Sequence, residues 1–200
     1  MAEEERRLVE TAKRGDHDSF NMLVRLYEGR LYNLSYRMLG DSESAADAAQ
    51  DAFISAYRNL KSFRGGSFRS WLLRIATNTC YDILRARKRK PSSSLDQEIA
   101  DNDAPALQIA DPSETPDDFT LRREMAQSIQ DAIAQLPEEQ RIVVILSDIQ
   151  GHSYDEIAEI TAVSPGTVKS RLSRGRARLR EILKAGELIP ARYRHDNNNK

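Results

Sequence analysis

Residues 153–180 read SYDEIAEITAVSPGTVKSRLSRGRARLR, two helical patterns joined by a short turn, the second of them loaded with arginine. Ser153 is placed to cap the first helix, and Glu156 three positions on can reach back to the Ser153 amide in a capping box. Ile157, Ala158 and Ile160 form a small packing face, and Ala162-Val163 make the turn. Ser164-Pro165 then restarts a helix with a hydroxyl at the cap and proline at the first position, where the missing N–H costs nothing. Val168, Leu172, Gly175, Leu179 and Ile182 follow at spacings of four, three, four and three, which makes one apolar seam. Lys169, Arg171, Arg174, Arg176, Arg178 and Arg180 fill the other faces with no acid among them. A solvated surface helix normally mixes signs to gain i,i+4 pairs. Side chains of one sign repel unless an anion is supplied, and a seam on one face with guanidinium forks on the others is the layout of a helix-turn-helix presented to duplex DNA.

The whole chain hides this bias. Thirty Lys+Arg stand against 31 Asp+Glu, for a net charge of −1. Residues 85–90, RARKRK, hold five cations and no acid, whereas residues 91–121 hold eight acids and no base. Charges are screened beyond about 8 Å at physiological salt, so a local basic patch attracts nucleic acid whatever the total. Cys80 is the only cysteine, which excludes an intrachain disulfide and suits an intracellular setting; it reads as a small buried helix residue. The N-terminal MAEEERRLVE lacks the apolar segment of a signal peptide, and no apolar run approaches the ~20 residues that span a bilayer. A soluble, cytoplasmic protein is expected, with no direct membrane insertion and association with the nucleoid when active.

The predicted fold is all-α: two small helical domains joined by a flexible acidic linker, the second containing the helix-turn-helix. The domains are read as residues 1–90 and 122–185. Between them residues 91–121 carry four prolines, three consecutive serines and scattered acids, a composition that buries too little apolar surface to offset its ordering entropy. Residues 186–200 read as a disordered tail. In the first domain, one helix over about 3–14 stops at Gly15-Asp16. A second places Phe20, Leu23, Val24, Tyr27, Leu31, Leu34 and Met38 on one stripe and ends at Gly40. Asp41 or Ser42 caps a third, with Ala45, Ala48, Ala49, Ala52, Phe53, Ala56, Tyr57 and Leu60 inward and Asp47, Gln50 and Asp51 outward.

The glycine loop KSFRGGS then leads into a last helix, FRSWLLRIATNTCYDILRARKRK, where aromatic and basic residues interleave. Phe63, Phe68, Trp71 and Tyr81 offer stacking platforms for unpaired bases, and Arg64, Arg69, Arg74, Arg85, Arg87 and Lys88 offer cations to a nucleic-acid backbone. Trp71 with Leu72, Ile75 and Thr79 equally makes a core stripe. Asn78 brings an amide that both donates and accepts. No cofactor is expected, because Gly65-Gly66 lacks the lysine and hydroxyl residue of a phosphate-binding loop. No metal is expected either: His17, His152, His195 and Cys80 share no ligand spacing.

These motifs, in this order, resemble a bacterial RNA polymerase sigma factor of the short, extracytoplasmic-function (ECF) type of the sigma-70 family. AADAAQDAF (45–53) is similar to the family's polymerase-binding helix, except that Ala48 and Ala49 stand where large aliphatics are common. FRSWLLRIATNTCYDILR is similar to its helix for melting and reading the minus-ten element. LPEEQRIVVILSDIQGHSYDEIAEITAVSPGTVKSRLSRGRARLR is similar to its domain that reads the minus-thirty-five element. The resemblance implies that Asp47, Gln50 and Asp51 dock on a coiled coil of the largest subunit of core RNA polymerase, with the second domain near the flap of the other large subunit. It implies that Ser170, Arg171 and Arg174 meet bases upstream, while Lys169, Arg176 and Arg178 meet phosphates. Phe63, Arg64 and Ser67 would capture a base flipped from the melting duplex, with Phe68, Trp71, Arg74, Asn78, Arg85 and Lys88 along the melted strand. The linker either threads the polymerase cleft or is a solvated tether. Family members are usually held by an anti-sigma factor. No enzymatic activity is implied.

Two other classes share parts of this pattern. A dimeric helix-turn-helix regulator would bind duplex DNA without polymerase, but it needs a dimerisation segment that the sequence lacks. A nuclease would need Asp47, Asp51 and Asp82 to converge on a metal.

Overall fold

The computed structural model describes residues 2–89 and 116–185. All regular structure among them is helical. The first domain comprises α1 (Ala2–Lys13), α2 (His17–Leu39), α3 (Ser42–Asn59) and α4 (Phe68–Arg89). The second comprises α5 (Pro116–Ala134), α6 (Glu138–Val144), α7 (Tyr154–Thr161) and α8 (Pro165–Ala185). The expected linker was drawn to residue 121, yet α5 already begins at Pro116, because proline at a first helical position forfeits no hydrogen bond. The remainder of the linker and the tail lie outside the described residues.

Each boundary has a local cause. The Asp16 carboxylate caps α2 by accepting from the Ser19 amide at 3.2 Å. The helix ends at Gly40, whose φ of 90° places it in the left-handed region that glycine enters without cost. Asp41 rather than Ser42 caps α3, accepting from the Ser44 amide at 2.8 Å. The Ser67 hydroxyl accepts from the Ser70 amide at 3.1 Å and so starts α4. These caps fix the corners, and α2 becomes the central rod with α1, α3 and α4 packed around it.

The stripe expected on α2 is the core: Leu23, Tyr27, Leu31, Leu34 and Met38 are all buried, and Val24 is partly so. The α3 alanines 45, 48, 49, 52 and 56 are buried as well, and their small side chains let α3 lie close to its neighbours. Tyr57 differs from expectation. It is 38% exposed, resting its ring edge-on against Phe20 while its hydroxyl meets His17 Nδ1 at 2.9 Å. Being one turn from the end of α3, it has a neighbour on one side only. Cys80 is buried on α4, its thiol pushed up to about 11 by that burial.

In the second domain α6 loosens into a π-helical turn over Ile145–Ile149, and α7 and α8 form the helix-turn-helix. The Ser153–Glu156 capping box is present in both directions. Ala162 takes the turn with φ 55°, the single non-glycine residue with positive φ among those described. A left-handed alanine carries strain that the packing of α7 against α8 must offset.

The seam of α8 packs on α6 through Val168, Leu172 and Gly175, all buried. Gly175 is where the backbones approach: a Cβ there would stand 2.9 Å from Val144 Cγ2 and 3.4 Å from the Gln140 carbonyl. Val144 is itself 2% exposed and has no room to yield. Gly175→Ala is therefore expected to lower stability by a net ~1–2 kcal/mol, overpacking outweighing the gain in helix propensity. Thermal unfolding followed by circular dichroism checks this; an unchanged or raised Tm would refute the close approach.

Candidate nucleic-acid interface

Three surfaces hold the residues expected to act. On α8, Lys169, Ser170, Arg174 and Arg178 are exposed, and Arg174 Nε lies 3.3 Å from the Ser170 carbonyl, which keeps its guanidinium along the helix. Arg171 and Arg176 are placed differently. Arg171 is largely covered and paired with Glu139 of α6 at 2.6 Å, while Arg176 grips Asp148 through Nε at 3.0 Å and through Nη2. No acid lies within the helix, and the two that meet these arginines come from α6 and its π turn, about 30 residues earlier in the chain. What remains open is a stripe made by Lys169, Ser170, Arg174 and Arg178.

The second surface is the loop before α4. Ser62 to Ser67, with Ser70, Trp71 and Arg74 of α4, line a hollow of about 260 Å³. Gly65 and Gly66, at φ 102° and 89°, turn the chain around its rim, a backbone course closed to most side chains. Phe63 and Phe68 are not free stacking platforms, which corrects the expectation for both. They are 7% and 3% exposed and stand edge to face, their centroids 5.7 Å apart. Phe63 forms the floor, and Phe68 backs it from the core, packed in turn on Tyr27 of α2. Trp71 is intermediate: its ring packs 5.2 Å from Phe63 and its remaining edge lines the hollow. Arg64, Ser67, Arg74, Asn78, Arg85 and Lys88 are exposed, with Arg85 paired to Asp82 at 2.6 Å and Lys88 to Glu138 at 2.7 Å.

Sequence reasoning missed Ser70 and Glu159 here, and read Arg69 only as one of the cations of the last helix. Ser70 is buried on the wall of the hollow with no partner for its hydroxyl. Arg69 is ion-paired with Glu156 of α7, and Glu159 of α7 reaches the hollow's lining. No local pattern could have found the acids, which come from the other domain. Arg87 was read as one more cation of a basic run. It instead ties α4 to the α2–α3 corner, donating to the Leu39 carbonyl at 3.1 Å and to Asp41 at 2.8 Å.

The third surface lies on α3. Asp47, Gln50 and Asp51 are exposed beside a groove of about 940 Å³ between α2 and α3, lined by Phe20, Val24, Tyr32, Ala49, Phe53 and Ile54 among others. Ala49 in place of a larger aliphatic deepens this groove. Asp47, Asp51 and Asp82 form no metal cluster, and no group of three candidate metal ligands occurs among the described residues. No described helix is long and apolar enough to cross a membrane.

A second domain whose helix-turn-helix ends in a basic helix, and a first domain with an apolar groove and a base-sized loop, are the parts of a two-domain transcription-initiation protein. Comparison with known proteins agrees. The sequence models of Sigma-70 region 2 and Sigma-70 region 4 match residues 23–90 and 126–179. The chain is 41% identical over 179 residues to the ECF RNA polymerase sigma factor SigW of Bacillus subtilis (strain 168), spanning 88% of this chain and 95% of that protein. Over 171 residues it is 40% identical to the ECF RNA polymerase sigma-E factor of Escherichia coli (strain K12), spanning 84% and 88%. Among solved structures, CnrH in complex with the cytosolic domain of CnrY aligns with TM-score 0.64 at 25% identity, covering 91% of this chain and 98% of that one. RpoE in complex with the anti-sigma factor NepR, from Bartonella quintana, aligns with TM-score 0.62 at 28% identity, covering 82% and 96%. The chain belongs to the sigma-70 family, in its ECF branch, and directs RNA polymerase to promoters.

His152, between the π turn and α7, is 6% exposed with no hydrogen bond to Nδ1. Burial, then Arg69 and more weakly Arg30, hold its imidazole below the usual histidine range, with Glu156 pulling the other way. The unfolded chain then takes up a proton that the folded one resists. Stability is full above the unfolded value of about 6.5 and is lost as pH falls below it. Between about pH 7.5 and 5.5 the wild type is expected to lose more Tm than His152→Leu. Equal losses in the two would assign the pH dependence elsewhere.

Proposed function

We propose that residues 1–90 form the domain that binds core polymerase and reads the melted minus-ten element, that residues 122–185 form the domain that reads the upstream element, and that the segment between them is a tether. The observation that carries this reading is the pairing of one open cationic stripe on α8 with one aromatic-floored hollow on the loop before α4. The first suits the major groove of a duplex and the second a single unpaired base.

In this reading Ser170 and Arg174 reach base edges, while Lys169 and Arg178 hold phosphates. Arg171 and Arg176 join them by exchanging Glu139 and Asp148 for DNA, phosphate in the case of Arg176. Arg64, Ser67 and Trp71 receive the flipped base over the floor made by Phe63. Arg74, Asn78, Arg85 and Lys88 follow the strand along α4. Flipping a base costs a few kcal/mol. That cost is met by binding, so strand opening needs no nucleotide hydrolysis and no catalytic residue.

Gln50 lines the α2–α3 groove, and the exposed Asp47 and Asp51 of the same helix add negative charge, a surface fitted to a basic coiled coil of the largest polymerase subunit. The second domain sits by the flap of the other large subunit. CnrH and RpoE are each solved with a bound partner, which supports an anti-sigma factor as the regulator of this chain too. The site of action is the cytoplasm, at the nucleoid.

Run-off transcription from a random-promoter library, with core polymerase and this protein together and separately, tests the reading. Transcripts are expected only with both, from templates sharing two short elements at fixed spacing; retardation of DNA without redirected polymerase would favour a helix-turn-helix regulator. On the enriched promoter, Arg174→Ala is expected to cost ~1–3 kcal/mol and to relax preference within the upstream element. Lys88→Ala is expected to weaken all promoters alike and to lower the salt slope by about 1. A promoter-selective loss would give Lys88 a base contact.

A further inference from the structure

The loop that forms the hollow is fastened at both ends. At its far end the Ser67 hydroxyl accepts from the Ser70 amide and the Ser67 carbonyl from the Trp71 amide, both at 3.1 Å, so the chain enters α4 already bonded. At its near end the Phe63 amide closes the 3-10 turn Leu60–Ser62 by donating to the Leu60 carbonyl at 3.1 Å. The Phe63 carbonyl is held from another helix. It accepts from Nζ of Lys13, the last residue of α1, at 2.9 Å and across 50 positions of chain. The same ammonium lies 5.9 Å from the centre of the Phe63 ring, at the outer reach of a cation–π contact, and 3.4 Å from Glu10 on α1.

Lys13 owes its place to the packing of α1. Leu8, Val9 and Ala12 are buried, which fixes the last turn of the helix, and the partly covered Lys13 stem carries its charge to the loop. Lys13 is not among the residues that line the hollow. Between the two fastened ends stand Arg64, Gly65 and Gly66, with φ of 102° and 89° at the glycines. Glycine has more conformations to lose than any other residue, so the shape of this rim rests on its ends.

Resting on the reading of this hollow as the seat of a flipped base, we propose that Lys13 is a positioning residue for the minus-ten element: by holding the Phe63 carbonyl and ring from α1, it sets the rim in its receiving shape before DNA arrives. A loop ordered only on binding would add its own conformational entropy to the cost of unstacking the base. With the rim already set, only the unstacking remains to be met, and the base is captured faster as the duplex opens. Lys13 therefore acts on promoter opening and not on the first, duplex-bound complex, which the stripe on α8 governs.

The test uses the full chain with core polymerase, on the promoter enriched by run-off selection. Lys13→Met keeps an apolar stem and loses the donor and the charge; Lys13→Arg keeps both. Stopped-flow fluorescence of a dye within the melted region, recorded over a range of polymerase concentrations, separates initial binding from the opening step. Initial binding should be unchanged, opening should slow about tenfold in Lys13→Met, the effect of one charge-assisted hydrogen bond, and Lys13→Arg should restore most of the rate. The promoter is then made with an abasic site at each non-template position of the minus-ten element in turn. At the captured position the abasic site should slow the wild type and erase its advantage over Lys13→Met, because without a base to seat the shape of the rim no longer matters. Each protein is compared with itself, so a lowered folded fraction in Lys13→Met does not move this result. Equal opening rates on the intact promoter, a Lys13→Arg no faster than Lys13→Met, or an advantage that persists at every abasic position would overturn the role of Lys13 alone. A wild type that opens every abasic promoter as fast as the intact one would remove the base from the hollow, and both readings with it.

Discussion

The structure turns on one guanidinium. Arg141, on α6, is 9% exposed and donates to the carbonyls of Ala134 and Leu136 at the end of α5, and to that of Met38 at the end of α2. The last carbonyls of a helix have no partner within it, and when buried they must find a donor elsewhere. One planar fork supplies three, with a positive charge at the negative end of two helix dipoles. The angle between α5 and α6 follows, which sets the platform on which α8 lies through Gly175. The seating of the second domain against α2 follows as well. Removing this side chain would strand three carbonyls at once, whereas removing any single ion pair of the contact strands only groups that water can reach.

Charge is handled in two ways by the same molecule. Inside the second domain, Glu139 and Asp148 hold Arg171 and Arg176 in place, so that the recognition helix is not a bare column of like charges. Between the domains, Glu138 and Glu156 meet Lys88 and Arg69. Exposed pairs of this kind contribute about 0–1 kcal/mol each and weaken with salt. They are therefore suited to being exchanged for phosphates, which a buried pair would not be. Arg69, Lys88, Arg171 and Arg176 thus each have an acid beside them, whereas Lys169, Arg174 and Arg178 stay open.

The aromatic cluster at the loop shows a comparable division. Phe63 floors the hollow and is held from beneath by Phe68, which packs on Tyr27. Because these rings are fixed in the core, Gly65, Gly66 and the exposed Arg64 can form a rim whose shape does not depend on a bound base. Trp71 belongs to both layers, and Ser70 offers a hydroxyl that has no other use in the folded chain.

Much of this was legible in the residues alone. The stops at Gly15-Asp16 and Gly40, the caps at Asp41 and Ser153, the start at Ser164-Pro165, the apolar spacing on α2 and α8, and the all-α class follow from interactions within four residues of chain, which a linear sequence displays directly. So did the family, through motifs whose order and spacing survive as text. Tertiary structure decided which faces those helices share. The i,i+3 and i,i+4 pattern tells which side chains lie on one face but not what covers that face. Arg69 and Glu156 are 87 positions apart, and Arg141 and Met38 are 103 apart. Such pairs cost little sequence to encode and leave no local signal. Only the folded chain shows that Phe63 is floor and Phe68 core rather than platforms, that Arg87 is a brace, and that Arg171 and Arg176 of α8 have acids of their own.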